Sequence, residues 1–263
     1  MALWHASAGR SARRGENPTR FLTALPVYNE ARHVTAVLDE VVEHAADVLV
    51  VDDGSTDGTA ELLRGQRDVF VIRHDRNQGY GAALRTAFDF AVLHRYDVVV
   101  TIDCDGQHEP QRIGDLVAAC TSDVDIVSGS RYLGLPDGDR SAPRDRRRIN
   151  AQITEELNCR FGLRLTDAFC GFKAYRTRAL ARLQLTETGY AMPLELWVQA
   201  AALNLRVREL AVPLIYLDEQ RSFGGALDDP DRRLRYYHRV IDEAVAAAES
   251  RAPRAPLSSE KCS

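Results

Sequence analysis

Residues 98–110 read VVVTIDCDGQHEP and residues 48–59 read VLVVDDGSTDGT; in both, a run of aliphatic, mostly β-branched residues stops abruptly at acidic residues and glycine. Short runs of this kind, apolar at every position, form strands buried on both faces, as in a parallel sheet covered by helices. Working outward, FLTALPV from Phe21 is a third such run, stopped by YNE, and Val34, Val37, Leu38, Val41 and Val42 then lie on one helical stripe between residues 30 and 44. Asp57 stands where it can cap a helix through Leu62 and Leu63, and Val69–Arg73 is another strand. The glycines of HDRNQGYGAA mark a tight turn before a helix over 82–93, and Val98–Ile102 and Ile126–Ser130 follow as strands. Strands alternating with helices at this spacing predict an α/β fold with a mostly parallel central sheet flanked by helices, in which ligands gather at the carboxyl ends of the strands.

Beyond Ser130, LGLPDGDRSAPRDRR (133–147) reads as a long loop. A helix over 149–160, a strand in FCGFKAYR (169–176), a helix in ELWVQAAALNL (195–205) and a strand over 207–217 complete the pattern. Residues 231–250 form an amphipathic helix with Leu234, Tyr237, Ile241, Ala244 and Val245 on one side. That stripe could pack on the sheet, on a second subunit in a homodimer, or on a membrane, and the sheet is the simplest partner. Residues 1–20 are expected to be a flexible arm, 21–250 one domain, and 251–263 a disordered tail.

Composition narrows the function. An excess of 38 acidic over 34 basic residues gives a net charge of −4, so no positive field attracts nucleic acid. Five cysteines without a Cys-x-x-Cys pair argue against a disulfide framework or a structural zinc site and fit a reducing cytoplasm. The first twenty residues lack the apolar core of a secretory signal, and no stretch reaches the length of a membrane span. A lipid substrate would therefore be met peripherally, at the inner membrane face.

The chemistry concentrates at strand ends. Alternate side chains of an extended segment point the same way, so Asp103, Asp105 and Gln107 can converge on one point. One or two carboxylates completed by substrate phosphates are how magnesium or manganese is commonly held. In an arbitrary protein, an isolated Asp-x-Asp is an ordinary solvated turn; here Asp52 and Asp53 end a second buried strand, where a carboxylate can accept from the N–H edge of uracil or guanine. Tyr28 offers an aromatic face for stacking, and Glu30 a carboxylate for ribose hydroxyls. Cys170 reads as a small buried hydrophobe, not a nucleophile.

Taken together and in order, PVYNE, VVDDGSTDGT, RNQGYGAALRTAF, DCDGQHEP and SGSRY resemble family 2 of the inverting glycosyltransferases, in particular the soluble part of dolichol-phosphate and polyprenol-phosphate sugar transferases. The resemblance is strong over residues 21–131 and looser through 225. It implies a nucleotide-sugar-binding A-type fold and transfer of a hexose from a UDP- or GDP-sugar, with Mg2+ or Mn2+ as cofactor and a polyprenol phosphate among the acceptors. By the same resemblance Pro26, Tyr28, Glu30, Val51 and Asp53 hold the nucleoside, and Asp103, Cys104, Asp105 and Gln107 the sugar and diphosphate. Asp105 and Gln107, with Asp103, hold the metal, and Arg131 lies against a phosphate, where a guanidinium can make two hydrogen bonds to one anion. Asp167 and Glu195 are the candidate bases for an acceptor hydroxyl, while Asp105 and Arg131 complete the catalytic set. Arg221 is expected to pair with the diphosphate from a glycine-bearing lid, although Arg221-Ser222-Phe223-Gly224-Gly225 departs from the Arg-x-Gly-x-Ser-Lys-like stretch of the mannosyltransferases and has no lysine.

The implied reaction is a direct displacement at the anomeric carbon. Rival readings are a nucleotidyltransferase, which usually carries a basic glycine-rich loop absent from PVYNEARH, and a nucleotide-sugar-binding module without turnover. A dinucleotide-binding protein is disfavoured because no Gly-x-Gly-x-x-Gly follows the first strand.

Overall fold

The computed structural model describes residues 19–134, 143–215 and 225–251. Residues 1–18 of the expected arm, the expected tail beyond 251, the loop tip at 135–142 and Arg221 lie outside the described residues; the strand expected over 207–217 ends at Ala211, with 212–215 not strand and 216–217 outside the described residues. In chain order the elements are β1 (Phe21–Val27), α1 (Val34–His44), β2 (Val48–Asp52), α2 (Thr59–Arg64), β3 (Phe70–Arg73), α3 (Tyr80–Leu93), β4 (Val98–Thr101) and α4 (Ile113–Ala119). There follow β5 (Ile126–Ser130), α5 (Arg144–Phe161), β6 (Lys173–Arg176), α6 (Thr177–Leu180), α7 (Met192–Ala202), β7 (Val207–Ala211) and α8 (Pro230–Arg251).

The strands form a seven-stranded sheet ordered β3-β2-β1-β4-β6-β5-β7 among the described residues. β1 pairs in parallel with β2 (Val27 beside Asp52) and with β4 (Ala24 beside Thr101), which brings the ends of all three strands to one edge. β6 alone runs antiparallel, between β4 and β5. The continuously apolar strands are buried on both faces, as their composition requires. One core, containing Leu22, Val99, Ile153, Trp197 and Ile241, lies under α3, α5, α7 and α8; the other, containing Leu25, Leu38, Val50 and Leu116, lies under α1, α2 and α4.

Several expectations change in detail. The strand in 169–176 is confined to Lys173–Arg176; before it the chain bends at Gly171, whose carbonyl accepts from the Thr101 hydroxyl at 2.7 Å, and the buried Lys173 ammonium donates to the Cys170 carbonyl. Pro110–Ala119, unassigned by periodicity, is a turn of 3-10 helix followed by α4, too short to show a stripe. Asp57 does cap α2 from just outside it, accepting from the Thr59 N–H (3.1 Å) and hydroxyl (2.6 Å), while Gly58 supplies the left-handed turn at φ 97°. The stripe of α8, with Tyr237, Val240, Ile241 and Ala244 buried, packs on the domain itself, against α7 and α5. Among the described residues, no helix is long and apolar enough to cross a membrane.

Candidate active site

The carboxyl ends of β1, β2, β4 and β5 open into a cavity of 410 Å³ whose far wall is formed by α5, α7 and α8. On the β1–β2 side it is lined by Pro26, Tyr28, Glu30, Asp53, Asn77 and Gly79. This side is assembled by hydrogen bonds between loops. Asn29, at φ 56°, donates its N–H to the Ser55 hydroxyl (2.9 Å) and accepts from the Thr56 N–H (2.8 Å), and the Glu30 N–H donates to the Thr59 hydroxyl (2.9 Å). Tyr28 is left 42% exposed, with a ring face available to a ligand, whereas Glu30 and Asp53 are largely buried carboxylates at the cavity wall. Asp53 accepts from the backbone N–H groups of Gln78 (2.9 Å) and Gly79 (2.7 Å) and from His74. Val51 is fully buried in the core, paired with Pro26 on one side and Ile72 on the other, and is not a cavity residue. Its expected contact with the nucleoside is therefore not one its side chain can make.

At the centre lie Asp103, Cys104, Asp105, Gln107 and His108. The Tyr80 hydroxyl donates to Asp103 Oδ1 at 3.0 Å, and His108 Nε2 stands 3.4 Å from Oδ2. Burial, followed by the neighbouring Asp103 charge, raises the Tyr80 phenol well above its ordinary value, so it remains a donor. Asp105 Oδ1 accepts from the Gln107 backbone N–H at 3.0 Å, across a turn in which Gly106 adopts φ 73°. Cys104 lines the cavity but is 2% exposed.

Among the described residues no set of three His, Cys, Asp or Glu side chains closes around a point, so this is not an all-protein metal cage. The donor set nevertheless fits magnesium or manganese. Two carboxylates and an amide face one cavity, and such ions commonly take one or two protein carboxylates with phosphate oxygens and water completing the shell. Gly171 makes the space for this arrangement: a Cβ there would overlap the Asp103 carboxylate.

The far side is lined by Arg131, Arg146, Asn150, Phe169, Arg233 and Tyr237, with Tyr190 at the rim. Asp167 lies behind this wall, fully buried, and accepts from Arg131 Nε (2.7 Å), Arg131 Nη2 (3.0 Å) and Asn150 Nδ2 (2.7 Å). Burial alone would raise its carboxyl; Arg131, then Asn150 and the Phe169 N–H, override that and hold it well below the ordinary carboxylate range. Burial pushes the Cys170 thiol up to about 11, in keeping with an inert core residue.

Glu195 is placed elsewhere. It is 4% exposed and accepts from the Thr186 N–H and hydroxyl, the Glu187 N–H and Gln199 Nε2, at 2.8–3.1 Å. It shapes the segment that presents Tyr190, whose ring stacks on Tyr80 with centroids 5.7 Å apart, and it does not line the cavity.

Tyr80, His108, Arg146, Arg233 and Tyr237 also line the cavity, and no local pattern in the sequence marks them for it. Tyr80 sat between turn glycines, Arg146 in a charge run read as loop, and Arg233 and Tyr237 in a helix read only for its stripe. Arg233 is 3% exposed and held by Asp145 (2.7 Å) and the Leu227 carbonyl (3.0 Å), a long-range pairing that no local pattern announces.

Similarity to known proteins agrees with this geometry. The family model "Glycosyl transferase family 2" matches residues 23–184. The chain is 32% identical over 224 residues to the undecaprenyl-phosphate mannosyltransferase of Micrococcus luteus, covering 80% of this chain and 90% of the relative. It is likewise 32% identical over 227 residues to the polyprenol monophosphomannose synthase of Mycolicibacterium smegmatis, covering 78% and 83%. The fold is similar to that of glucosyl-3-phosphoglycerate synthase from Mycobacterium tuberculosis, with a TM-score of 0.65 at 19% identity over 86% of this chain and 80% of that one. With five motifs in order along one sheet edge and a family match spanning most of the sheet, the chain belongs to glycosyl transferase family 2 and is a glycosyltransferase.

Proposed function

We propose that the protein transfers a hexose from a UDP- or GDP-sugar to a polyprenol phosphate, with inversion at the anomeric carbon. The carrying observation is a division of charge. The carboxylates that line the cavity, Glu30, Asp53, Asp103 and Asp105, all lie on its β1, β2 and β4 side, while the side formed by β5, α5, α7 and α8 contributes three arginines and no carboxylate among the described residues. A hydroxyl acceptor needs a base within hydrogen-bond reach. A phosphate acceptor is already ionised and needs cations instead. The two related enzymes, named for undecaprenyl phosphate and for polyprenol monophosphomannose, support the same acceptor class.

In this reading the nucleoside lies against Pro26, Tyr28, Glu30 and Asp53. Asp103, Asp105 and Gln107 would hold Mg2+ or Mn2+, which when bound neutralises charge on the departing diphosphate. Arg131, oriented by Asp167, and Arg146 fix the acceptor phosphate so that one of its oxygens attacks the anomeric carbon as the bond to the nucleoside diphosphate breaks. The leaving diphosphate takes the electron pair, and no proton has to be removed from the acceptor. Asp167 then serves to position Arg131, and Glu195 to build the Tyr190 segment. Neither is assigned the role of base. The protein meets its acceptor peripherally, at the cytoplasmic face of a membrane.

The test is to incubate the protein with Mn2+, a panel of UDP- and GDP-sugars, and either undecaprenyl phosphate or undecaprenol in detergent. Glycosylated product is expected from the phosphate only. Comparable transfer to the alcohol would reject the charge argument and restore Asp167 or Glu195 as base.

A further inference from the structure

His74 follows β3 and is absent from the cavity lining, yet it touches the carboxylate on which the donor side is centred. Its side chain is 9% exposed; Nδ1 stands 2.6 Å from Asp53 Oδ1, and Nε2 stands 2.9 Å from the Thr86 hydroxyl on α3. We infer that His74 is a positioning residue for the donor nucleoside, acting through Asp53. The inference rests on the reading of Asp53 as a donor contact.

An ionised carboxylate offers about four lone-pair positions. Asp53 Oδ1 takes two donors, His74 Nδ1 and the Gln78 N–H, while Oδ2 takes the Gly79 N–H. A further acceptor position therefore remains on Oδ2, on a residue that lines the cavity. Its direction depends on the rotation of the carboxylate, which these three donors fix.

Two of the donors are backbone groups in a turn held by close packing. A Cβ on Gly79 would overlap the Thr188 carbonyl, and one on Gly54, beside Asp53, would overlap the backbone at Arg76. His74 is the side-chain member of the clamp. The imidazole is itself oriented from both ends: Nδ1, facing a carboxylate, donates to Asp53, and Nε2 shares a hydrogen bond with the Thr86 hydroxyl, which can serve as either donor or acceptor. The chain thus builds a Thr86–His74–Asp53 relay whose cavity end offers an acceptor to an N–H of the base.

The test uses calorimetric titration with UDP and with GDP in the presence of Mn2+, and pyrophosphate with Mn2+ as a probe that has no base. In His74→Leu, the nucleotide that binds the wild type is expected to weaken about tenfold, the size of a lost charge-assisted hydrogen bond, with pyrophosphate unchanged. His74→Asn, whose amide N–H can reach Asp53 from near the Nδ1 position, is expected to recover most of that loss. Equal weakening of nucleotide and pyrophosphate in His74→Leu marks a general structural role and overturns the inference. So does wild-type nucleotide affinity in His74→Leu when Asp53→Ala has lost it. Wild-type affinity in Asp53→Ala, or a wild type that binds neither nucleotide, overturns the donor-site reading and the inference with it. Should the His74 variants fail to fold, 15N resonances of the wild-type imidazole decide: a shift with nucleotide and none with pyrophosphate supports the relay, and no shift with nucleotide overturns it.

Discussion

Arg131 and Asp167 meet side by side, Nε to Oδ2 at 2.7 Å and Nη2 to Oδ1 at 3.0 Å, with Asp167 wholly buried and Arg131 at the cavity wall. The geometry ties one catalytic candidate to the other. Removing one partner of a buried ion pair strands the other, at a cost of about 3–5 kcal/mol. Asp167→Ala is therefore expected to lose about that much stability in urea unfolding. Asp167→Asn, of nearly the same shape, is expected to fold while raising the acceptor KM more than it lowers kcat, because Arg131 loses its orientation. A folded Asp167→Asn with normal acceptor KM would count against the positioning role.

Gly171 lies so close beneath Asp103 that a Cβ would overlap the carboxylate. Gly171→Ala is expected to push Asp103 out of place. A misplacement of about 1 Å at a reacting site costs on the order of 100-fold in rate. The checks are kcat/KM alongside a melting curve; near-normal melting with activity lost is the expected pairing, and full activity would show that Asp103 can move without consequence.

Tyr80 donates its hydroxyl to Asp103 Oδ1 at 3.0 Å. Hydrogen bonds to charged groups contribute about 1.5–3 kcal/mol. In Tyr80→Phe, the Mn2+ concentration for half-maximal activity is expected to rise about tenfold, which corresponds to roughly 1.4 kcal/mol. Titration of activity against Mn2+ checks this, and an unchanged curve would remove Tyr80 from the metal-side network.

Glu195 satisfies two backbone N–H groups, a hydroxyl and an amide. Glutamine supplies one acceptor oxygen where glutamate supplies two, so Glu195→Gln is expected to leave a buried donor unsatisfied and cost about 1–3 kcal/mol in unfolding experiments. A base would behave differently, with stability kept and turnover lost.

Asp125 ties β5 to Arg206, accepting from its N–H and Nε at 3.0 Å each, and to Arg178 at 3.3 Å. The Arg206 hydrogen bond, against burial, draws its carboxyl from 3.8 down to about 2. A carboxyl depressed on folding stabilises the native state above its unfolded value, and that contribution disappears as pH falls through the folded value. The loss therefore falls between about pH 4 and pH 2. Asp125→Asn is expected to flatten the acid limb of a stability–pH curve in that window, measured by urea unfolding at each pH.

Much of the sheet was legible because β2 and β4 are apolar at consecutive positions and stop at carboxylates, so burial on both faces and a ligand edge are written locally. Asp53, Asp103, Asp105 and Gln107 were legible for the same reason: each stands within a few residues of a strand end, and all line one cavity. Residues 169–172 were not. There the Cys170 and Gly171 carbonyls accept from the Lys173 and Thr101 side chains, and among the described residues only the Phe172 carbonyl accepts from β5, at the Gly129 N–H.

The sequence by itself determined the order of the strands and of the longer helices, the identity of the acidic strand ends and, through five motifs, the family, because these depend on short-range spacing and residue chemistry; the short α4 and α6 were not legible. The tertiary structure decided what each polar side chain is free to do. Asp167 faces Arg131 across 36 residues and Arg233 reaches Asp145 across 88, so the arginine wall and the occupied Asp167 exist only once distant segments have packed together, while Glu195 is taken up by the loop just before its own helix. Buried polar groups take whatever partner folding brings within reach, and at such separations the pairing is set by the packing of the whole sheet and its helices.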